Sequence, residues 1–501
     1  MIQAFTQAHH ASAWLKAQGC LALRSDSRRV QAGDGFVAWP GASYDARQAV
    51  AGVIRSGAAA ALVDAQDLTP AWQSEWAHMP IATLPNLKHQ SGWVASHFYH
   101  ADQGQLPLLA VTGTNGKTSV TWWLAQALSH LNLTCGLAGT LGVGLPGELR
   151  ATGLTTMQAV ELHDALAHMQ AKGWSACAIE ASSIGIVEGR LNGTQIRVGV
   201  FTNLSQDHLD YHGDMHHYWQ AKRELMRWPG LAHAVVNIDD ANGAELARTW
   251  DGHCELWTTS VNSPARLQAC DVKATPTGMQ FTVVEQATDG QTACPLELSV
   301  AGVFNVSNVL QVLASLRAMD VSLQAAVSAC AALTAVPGRL QPVNAAAQGP
   351  QVWVDYAHTP DAVAQVLQAL APIAQARLGR IWCVLGCGGN RDQTKRAPMA
   401  QSAEQHAHHV VLTSDNPRDE APEQILRDME VGLSRRADWV GVDRAQAIAY
   451  AITHAKAEDV VVIAGKGHED YQEVHGQRLP FNDAIVAQAA CKLRAQSEGA
   501  A

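Results

Sequence analysis

The stretch LLAVTGTNGKTSVTWWLAQALSH, beginning at Leu108, constrains this chain more than any other. It reads as a buried strand, a glycine loop (Gly113-Thr114-Asn115-Gly116-Lys117-Thr118-Ser119) and a helix. Glycines let backbone amides close around phosphate oxygens, a lysine in Lys117's place reaches the terminal phosphates, and a hydroxyl in Thr118's place can coordinate Mg²⁺. Gly113 and Gly116 stand closer together than in the commonest form of this motif, yet Gly-Lys-Thr still opens the helix. The competing reading is a glycine-rich turn with an incidental lysine. Taken alone, the loop predicts nucleotide phosphate binding.

Similar apolar runs recur: LPLLAVTG (106–113), ACAIEAS (176–182), VGVFTNL (198–204), AHAVVNID (232–239), RIWCVLGC (380–387), HHVVLTSD (408–415) and DVVVIAG (459–465). Each ends in small or polar residues, and Ala/Leu/Gln-rich helical stretches separate them. Parallel strands covered on both faces read this way, with functional turns at their carboxyl ends. The fold class expected is α/β. A polar stretch at Tyr99–Gln105 and the Pro/Gly punctuation Val336-Pro337-Gly338-Arg339, after a long helix around 306–333, predict three domains: 1–103, 104–336 and 337–501.

The formal charge of −10 argues against a nucleic-acid binder, which normally shows a basic face. The ten cysteines form no CxxC pair, so neither a disulfide framework nor a structural zinc site is expected. The N-terminus lacks the pattern of a signal peptide, and the apolar runs are too short to span a bilayer. A cytoplasmic monomer without a membrane partner is the expectation.

Other polar residues follow the later runs. Glu180 ends ACAIE, where a carboxylate can hold Mg²⁺ or serve as a helix N-terminal acid. His208, between Asp207 and Asp210, is a candidate metal ligand, whereas His212, His216 and His217 read as a solvated loop. Lys222 lies on an expected helix, HHYWQAKREL, where periodicity gives it no more than a surface role.

TGTNGKT, EASS, TNLSQDHLDYHG with Ala221-Lys222, GVFNVSN (302–308), PGR (337–339) and DYAHTPDA (355–362) occur together in this order. This set resembles the Mur ligases of peptidoglycan synthesis over nearly the whole chain, and SDSRRVQAGDGFVAWPG (25–41) is similar to their uridine-nucleotide domain. The resemblance implies an N-terminal UDP-binding domain, a central P-loop ATPase-type parallel-sheet domain and a C-terminal Rossmann-like domain. It implies an ATP-dependent ligase that phosphorylates the D-Glu carboxylate of a UDP-N-acetylmuramoyl dipeptide, after which an amine displaces phosphate. Lys117 and Mg²⁺ would neutralise charge on the transferring phosphoryl group.

Residue by residue, the resemblance assigns Thr118, Glu180 and His208 to Mg²⁺, and Lys222 to a lysine carbamylated by CO₂, whose two oxygens suit a second Mg²⁺. Asn305, Arg339 and Asp355 match nucleotide contacts, with His358 nearby, although Asn305 and Asp355 also read as turn or capping residues. Ser25, Ser27, Thr155, Thr156, Ser182, Glu188 and Arg190 match positions facing the UDP-linked substrate, where each Ser or Thr could instead cap a helix.

Asp415-Asn416-Pro417-Arg418, Arg391, Gly465 and Glu469 match the amino-acid site of the diaminopimelate-adding branch. Meso-diaminopimelate carries a distal carboxylate beside its distal ammonium. An arginine grips the carboxylate bidentately and a glutamate pairs with the ammonium. Without the resemblance, Asp-Asn-Pro-Arg is an ordinary turn.

The chain departs from the family pattern at Ile184 (usually His), Glu188 (often Gln), Met157 (usually Pro) and Gly41-Ala42 (usually Gly-His). The rivals are a relative adding another amino acid or extending folate with glutamate, and an ATP-hydrolysing switch. The DSR…GD.FVA and DNPR motifs argue against the first, and a switch would need neither Lys222 nor Arg391 and Arg418.

Overall fold

The computed structural model describes residues 2–41, 44–100, 106–275, 278–287, 290–343 and 349–499. Ala42 and the division expected at 103 lie outside them. The chain divides into two units, residues 1–258 with 314–320, and residues 259–313 with 321–501.

In the first unit, five short strands pair in parallel in the order Gln3–Ala4, Ile81–Leu84, Ala60–Asp64, Gly35–Ala38, Leu23–Arg24. Successive side chains of a strand point to opposite faces, and here both faces are apolar. Ala60 and Leu62 join Leu15, Leu87 and Val94 in one core, while Ala61 and Val63 join Phe36, Val50 and Trp76 in another. Each fully buried large side chain contributes roughly 1.5–3 kcal/mol.

Seven neighbouring strands of a second, larger sheet run His233–Asn237, Ile196–Phe201, Leu108–Thr112, Ala176–Glu180, Cys135–Gly139, Gly142–Leu145, Glu148–Arg150 in this unit. The first five are parallel and the last three form an antiparallel meander. Every residue of Leu108–Thr112 and Ala176–Glu180 is buried, as their continuous apolar sequence requires. The carboxyl ends of Leu108–Thr112, Ala176–Glu180 and Ile196–Phe201 deliver the glycine loop, Glu180 and the 202–205 segment.

The second unit holds an antiparallel meander, Leu267–Thr275, Gly278–Ala287 and Gly290–Leu298, which the expected alternation of parallel strands and helices did not include. Its six-stranded sheet runs Gln341–Val343, Gln351–Asp355, Val460–Ala464, Ile381–Leu385, His409–Thr413, Trp439–Gly441, parallel except for the first strand. This is the Rossmann-like layer expected. Beneath its carboxyl edge lies Arg444, wholly buried. It pairs with Asp483 at 2.6 Å and donates to the Ser414 and Ala464 carbonyls, the residues just before Asp415 and Gly465.

The region expected as one helix around 306–333 is two, Val303–Ala318 and Leu323–Ala331. Asp320 takes a left-handed conformation (φ 65°), and the Ser322 hydroxyl caps the second helix by accepting from Ala325 N. No described helix is long and apolar enough to cross a membrane. All ten cysteines are free.

Candidate active site

The 113–118 loop is built by close backbone approach. Gly113 sits at φ 145°, and a Cβ there would stand 1.8 Å from Thr202 Oγ1. Thr114 N donates to the Asn203 carbonyl and Asn115 N to Asn203 Oδ1, each at 2.9 Å, while Thr202 Oγ1 donates to the Asn115 carbonyl at 2.6 Å. Gly116, at φ 87°, opens the helix Lys117–His130. Lys117 Nζ donates to the Gly113 and Thr114 carbonyls at 2.9 Å. The pairing partners 202 and 203 lie too far along the chain for local sequence to reveal.

Glu180 projects from its strand end into a recess lined by Thr118, Leu137 and Gly139. A Cβ at Gly139 would fall 2.4 Å from Glu180 Oε1, so only glycine admits this carboxylate. Glu180 Oε2 accepts from the hydroxyls of Thr118 (3.0 Å) and Thr140 (3.1 Å), and Oε1 accepts from Thr140 N. Ser182, not Glu180, caps the helix Ser183–Val187. Thr140 escaped the sequence reading because nothing around it is periodic or motif-like. Its hydroxyl also meets Thr155 Oγ1 at 3.1 Å, while Thr156 donates to the Glu180 carbonyl and meets Ser182 Oγ at 2.9 Å.

Lys222, on the helix Met215–Arg223, is buried rather than at the surface. Its Nζ donates to the Gly113 carbonyl at 2.8 Å and stands 4.3 Å from the centre of the Tyr218 ring. Burial, then the neighbouring Lys117 charge, drives its pKa well below the ordinary lysine value. Tyr218 Oη in turn meets Thr114 Oγ1 at 3.2 Å. His208 takes a left-handed conformation and pairs with Asp207 at 3.5 Å. Its pKa is lowered by burial, with Lys117 and Lys222 adding to the effect and Asp207 opposing it. The neighbouring histidines are not all on a solvated loop. His212 is half-buried and bonds Ser183 Oγ at 2.9 Å, while His216 and His217 are exposed on a helix that Asp214 caps.

The donors here suit Mg²⁺, a hard cation that takes oxygen ligands in number and keeps several waters. Thr118 and Glu180 offer oxygens in one recess, and a neutral His208 keeps a ring nitrogen for ligation. Among the described residues no group of three or more His, Cys, Asp or Glu could cage a metal alone. An ion held here would therefore also need phosphate and water oxygens.

Ser25 N and Oγ both donate to the Glu161 carboxylate at 2.8 Å, and Ser27 opens a single 3₁₀ turn capped by Asp26. Glu188 and Arg190 form a 2.5 Å ion pair, Lys88 grips the other Glu188 oxygen at 3.0 Å, and Arg190 donates to the Thr156 carbonyl. Arg190 thus links this cluster to the Glu180 recess through Thr156.

In the second unit, Asn416 and Glu469 meet at 2.8 Å, and buried Lys466 donates to both, at 3.0 and 2.8 Å. Burial acts to raise the Glu469 pKa, but the Lys466 charge outweighs it and holds it below the ordinary glutamate value. Asp415 is buried 3.8 Å from Lys466, with a raised pKa because burial outweighs that charge. Lys466 stands between the expected site residues Gly465 and Glu469, yet its burial had no local signal.

Arg418 has φ 52° and donates from Nη1 to the Gly389 carbonyl at 2.8 Å. A Cβ on Gly388 would meet Arg418 Nη1 at 3.0 Å and Arg391 Cγ at 3.8 Å, so the two arginines flank one bare backbone position. Pro417 closes the same turn, and Gly465, at φ 113°, leaves room beside Asp415 Oδ2. Asp355 holds Leu340 N and Ala357 N, and burial raises its pKa against the opposing Arg339 charge. Arg339 lies over the Tyr356 ring, His358 Nδ1 bonds the Tyr356 carbonyl, and Asn305 donates to the Ala301 carbonyl. The turn-forming reading of Asp355 is therefore physically occupied, since both its oxygens hold backbone amides.

Two family models match the chain: the Mur ligase middle domain over residues 111–316, and the Mur ligase, glutamate ligase domain over 338–467. The chain is similar to a protein of Acidovorax sp. (strain JS42) named UDP-N-acetylmuramoyl-L-alanyl-D-glutamate--2,6-diaminopimelate ligase, with 49% identity over 98% of this chain and 99% of that one. A protein of the same name from Coxiella burnetii is 41% identical over 94% of this chain and 95% of its own. A solved structure of a ligase of that name superposes with a TM-score of 0.66 at 35% identity, covering 95% of each chain. A MurF ligase of Thermotoga maritima, solved in complex with ADP, shares the fold at a TM-score of 0.65 and 15% identity, covering 96% of this chain and 99% of its own.

Proposed function

The chain belongs to the Mur ligase family, and on that premise we propose that it joins meso-2,6-diaminopimelate to UDP-N-acetylmuramoyl-L-alanyl-D-glutamate using ATP, a step of peptidoglycan synthesis. The D-Glu carboxylate attacks the γ-phosphorus of ATP and releases ADP. The diaminopimelate amine then adds to the acyl-phosphate carbonyl, and the tetrahedral adduct expels inorganic phosphate and a proton.

Gly113, Thr114, Asn115, Gly116, Thr118 and Ser119 bind the ATP phosphates, and Lys117 balances their charge. Asn305, Arg339 and Asp355 contact the nucleotide. Thr118, Glu180 and His208 would hold Mg²⁺, which would supply charge neutralisation at the phosphoryl group. Lys222 supports a carbamate reading: an amine whose charged form is disfavoured by burial is neutral more of the time, and only a neutral amine adds to CO₂. Ser25, Ser27, Thr155, Thr156, Ser182, Glu188 and Arg190 face the UDP-linked substrate.

One observation carries the choice of amino acid. The Asp415–Arg418 turn sets Arg418 and Arg391 around Gly388, while its Asn416 touches Glu469. An acceptor with a distal carboxylate and a distal ammonium finds a partner for each, whereas lysine brings no carboxylate to the arginines, of which Arg418 otherwise faces Glu473 at 3.5 Å. The gap between the family matches, at 317–337, supports a division near 337. We read the protein as a cytoplasmic monomer. Phosphate release should require ATP, the UDP-linked dipeptide and diaminopimelate together. Release with ATP alone would favour a hydrolytic switch and overturn the reading.

A further inference from the structure

Glu188 stands where an anionic substrate is to bind, and a bare carboxylate would repel it. The structure supplies the counterweight on another element. Lys88, on the helix Leu87–Tyr99, donates to Glu188 Oε1 at 3.0 Å, while Arg190 takes Oε2 from both Nε and Nη2. Lys88 remains 38% exposed, against 18% for Glu188 and 13% for Arg190, so it forms the solvent-side end of the row.

The position of Lys88 is fixed by its helix. Asp64 Oδ2 accepts from Leu87 N at 2.6 Å, and Asn192 Nδ2 donates to the His89 carbonyl at 2.9 Å. Gly92 lies so close to the next layer that a Cβ would fall 2.2 Å from the Asn192 carbonyl oxygen. The ammonium is therefore presented to Glu188 by a helix pinned at both the 64 and 192 positions.

We propose that Lys88 is a positioning residue for the UDP-linked substrate: by neutralising Glu188 it leaves the Arg190 charge available to an anionic group, phosphate or carboxylate, of that substrate. With Lys88 present the three side chains sum to one positive charge; without it they sum to zero, and the carboxylate draws on Arg190 alone. This rests on the substrate assignment above.

The test compares Lys88→Met, Lys88→Arg, Glu188→Gln and the double variant Lys88→Met/Glu188→Gln, by steady-state kinetics and thermal melting. Lys88→Met should raise the KM for the UDP-linked dipeptide about tenfold, the worth of one unbalanced charge at a half-exposed site, with the KM for ATP and diaminopimelate unchanged. Lys88→Arg should restore it. On a Glu188→Gln background, Lys88→Met should change that KM little, because the charge needing compensation is gone. A loss of about tenfold on that background as well overturns compensation in favour of direct contact. A lowered melting temperature with all three KM values intact reduces the pair to a structural bridge, also against the proposal. Wild-type protein that fails to turn over the UDP-linked dipeptide brings down the substrate assignment itself, a result distinct from normal turnover with an unaffected Lys88→Met.

Discussion

Acid should weaken this protein at His163. The side chain is fully buried on the helix Ala159–Ala171, with Nε2 3.0 Å from the Asn192 carbonyl and Nδ1 without a partner. The carbonyl fixes the neutral tautomer with its proton on Nε2. Burial lowers the pKa from 6.5 to about 4, with the bond to Asn192 opposing and nearby His100 adding to the fall. The unfolded chain therefore takes up a proton between pH 6.5 and about 4 that the folded chain refuses. The stabilising contribution is whole above pH 6.5, declines as pH falls toward 4 and is lost below it. At roughly 1.4 kcal/mol per pH unit, the full interval is worth about 3 kcal/mol, and the part reached at pH 5 about 2 kcal/mol. His163→Gln keeps a donor without a titrating ring. Urea unfolding followed by tryptophan fluorescence from pH 7.5 to 5 should show the gap between wild type and variant closing by about 2 kcal/mol at the acid end. Parallel pH profiles would exclude His163 as the source of the acid sensitivity. The same helix carries Glu161 and Asp164, which hold Ser25 and Arg24, so substrate affinity should fall over the same pH range.

Three further outcomes follow from the site. Lys222→Ala should cut kcat by about a hundredfold or more and regain activity with a short carboxylic acid; a normal rate would rule out the carbamate role. Arg418→Ala should raise the KM for diaminopimelate at least about tenfold while that for ATP stays put, and a defect confined to ATP would contradict the assignment. Glu180→Gln removes the charge but keeps the shape in a recess that admits nothing larger, so it should raise the Mg²⁺ concentration needed for half-maximal rate without unfolding the protein. An unchanged Mg²⁺ dependence would exclude Glu180 as a ligand.

The parallel layers were legible because strands buried on both faces are written as unbroken apolar runs; VVVIA at 460–464 and LLAVT at 108–112 fold as read. The meander at 267–298 was not, because its two flanking strands alternate more and less buried residues and mimic amphipathic surface. The helix break at 319–322 depends on the conformation of one aspartate and one serine cap. At the site, motif residues were visible but their partners were not: Thr140 for Glu180, Lys88 for Glu188, Lys466 for Glu469 with Asn416, and Tyr218 for Lys222. Each partner is an unremarkable residue in its own neighbourhood, and most stand far along the chain from what they hold. Burial, too, is invisible at a single position: Lys222 read as a surface lysine because helical periodicity cannot register the loop packed against it.

A ligase with this arginine pair needs an acceptor that carries a distal carboxylate. The most direct measurement is the rate of amide formation with ATP, the UDP-linked dipeptide and either meso-diaminopimelate or L-lysine. Turnover is expected with diaminopimelate and scarcely any with lysine. Equal rates with both would contradict it.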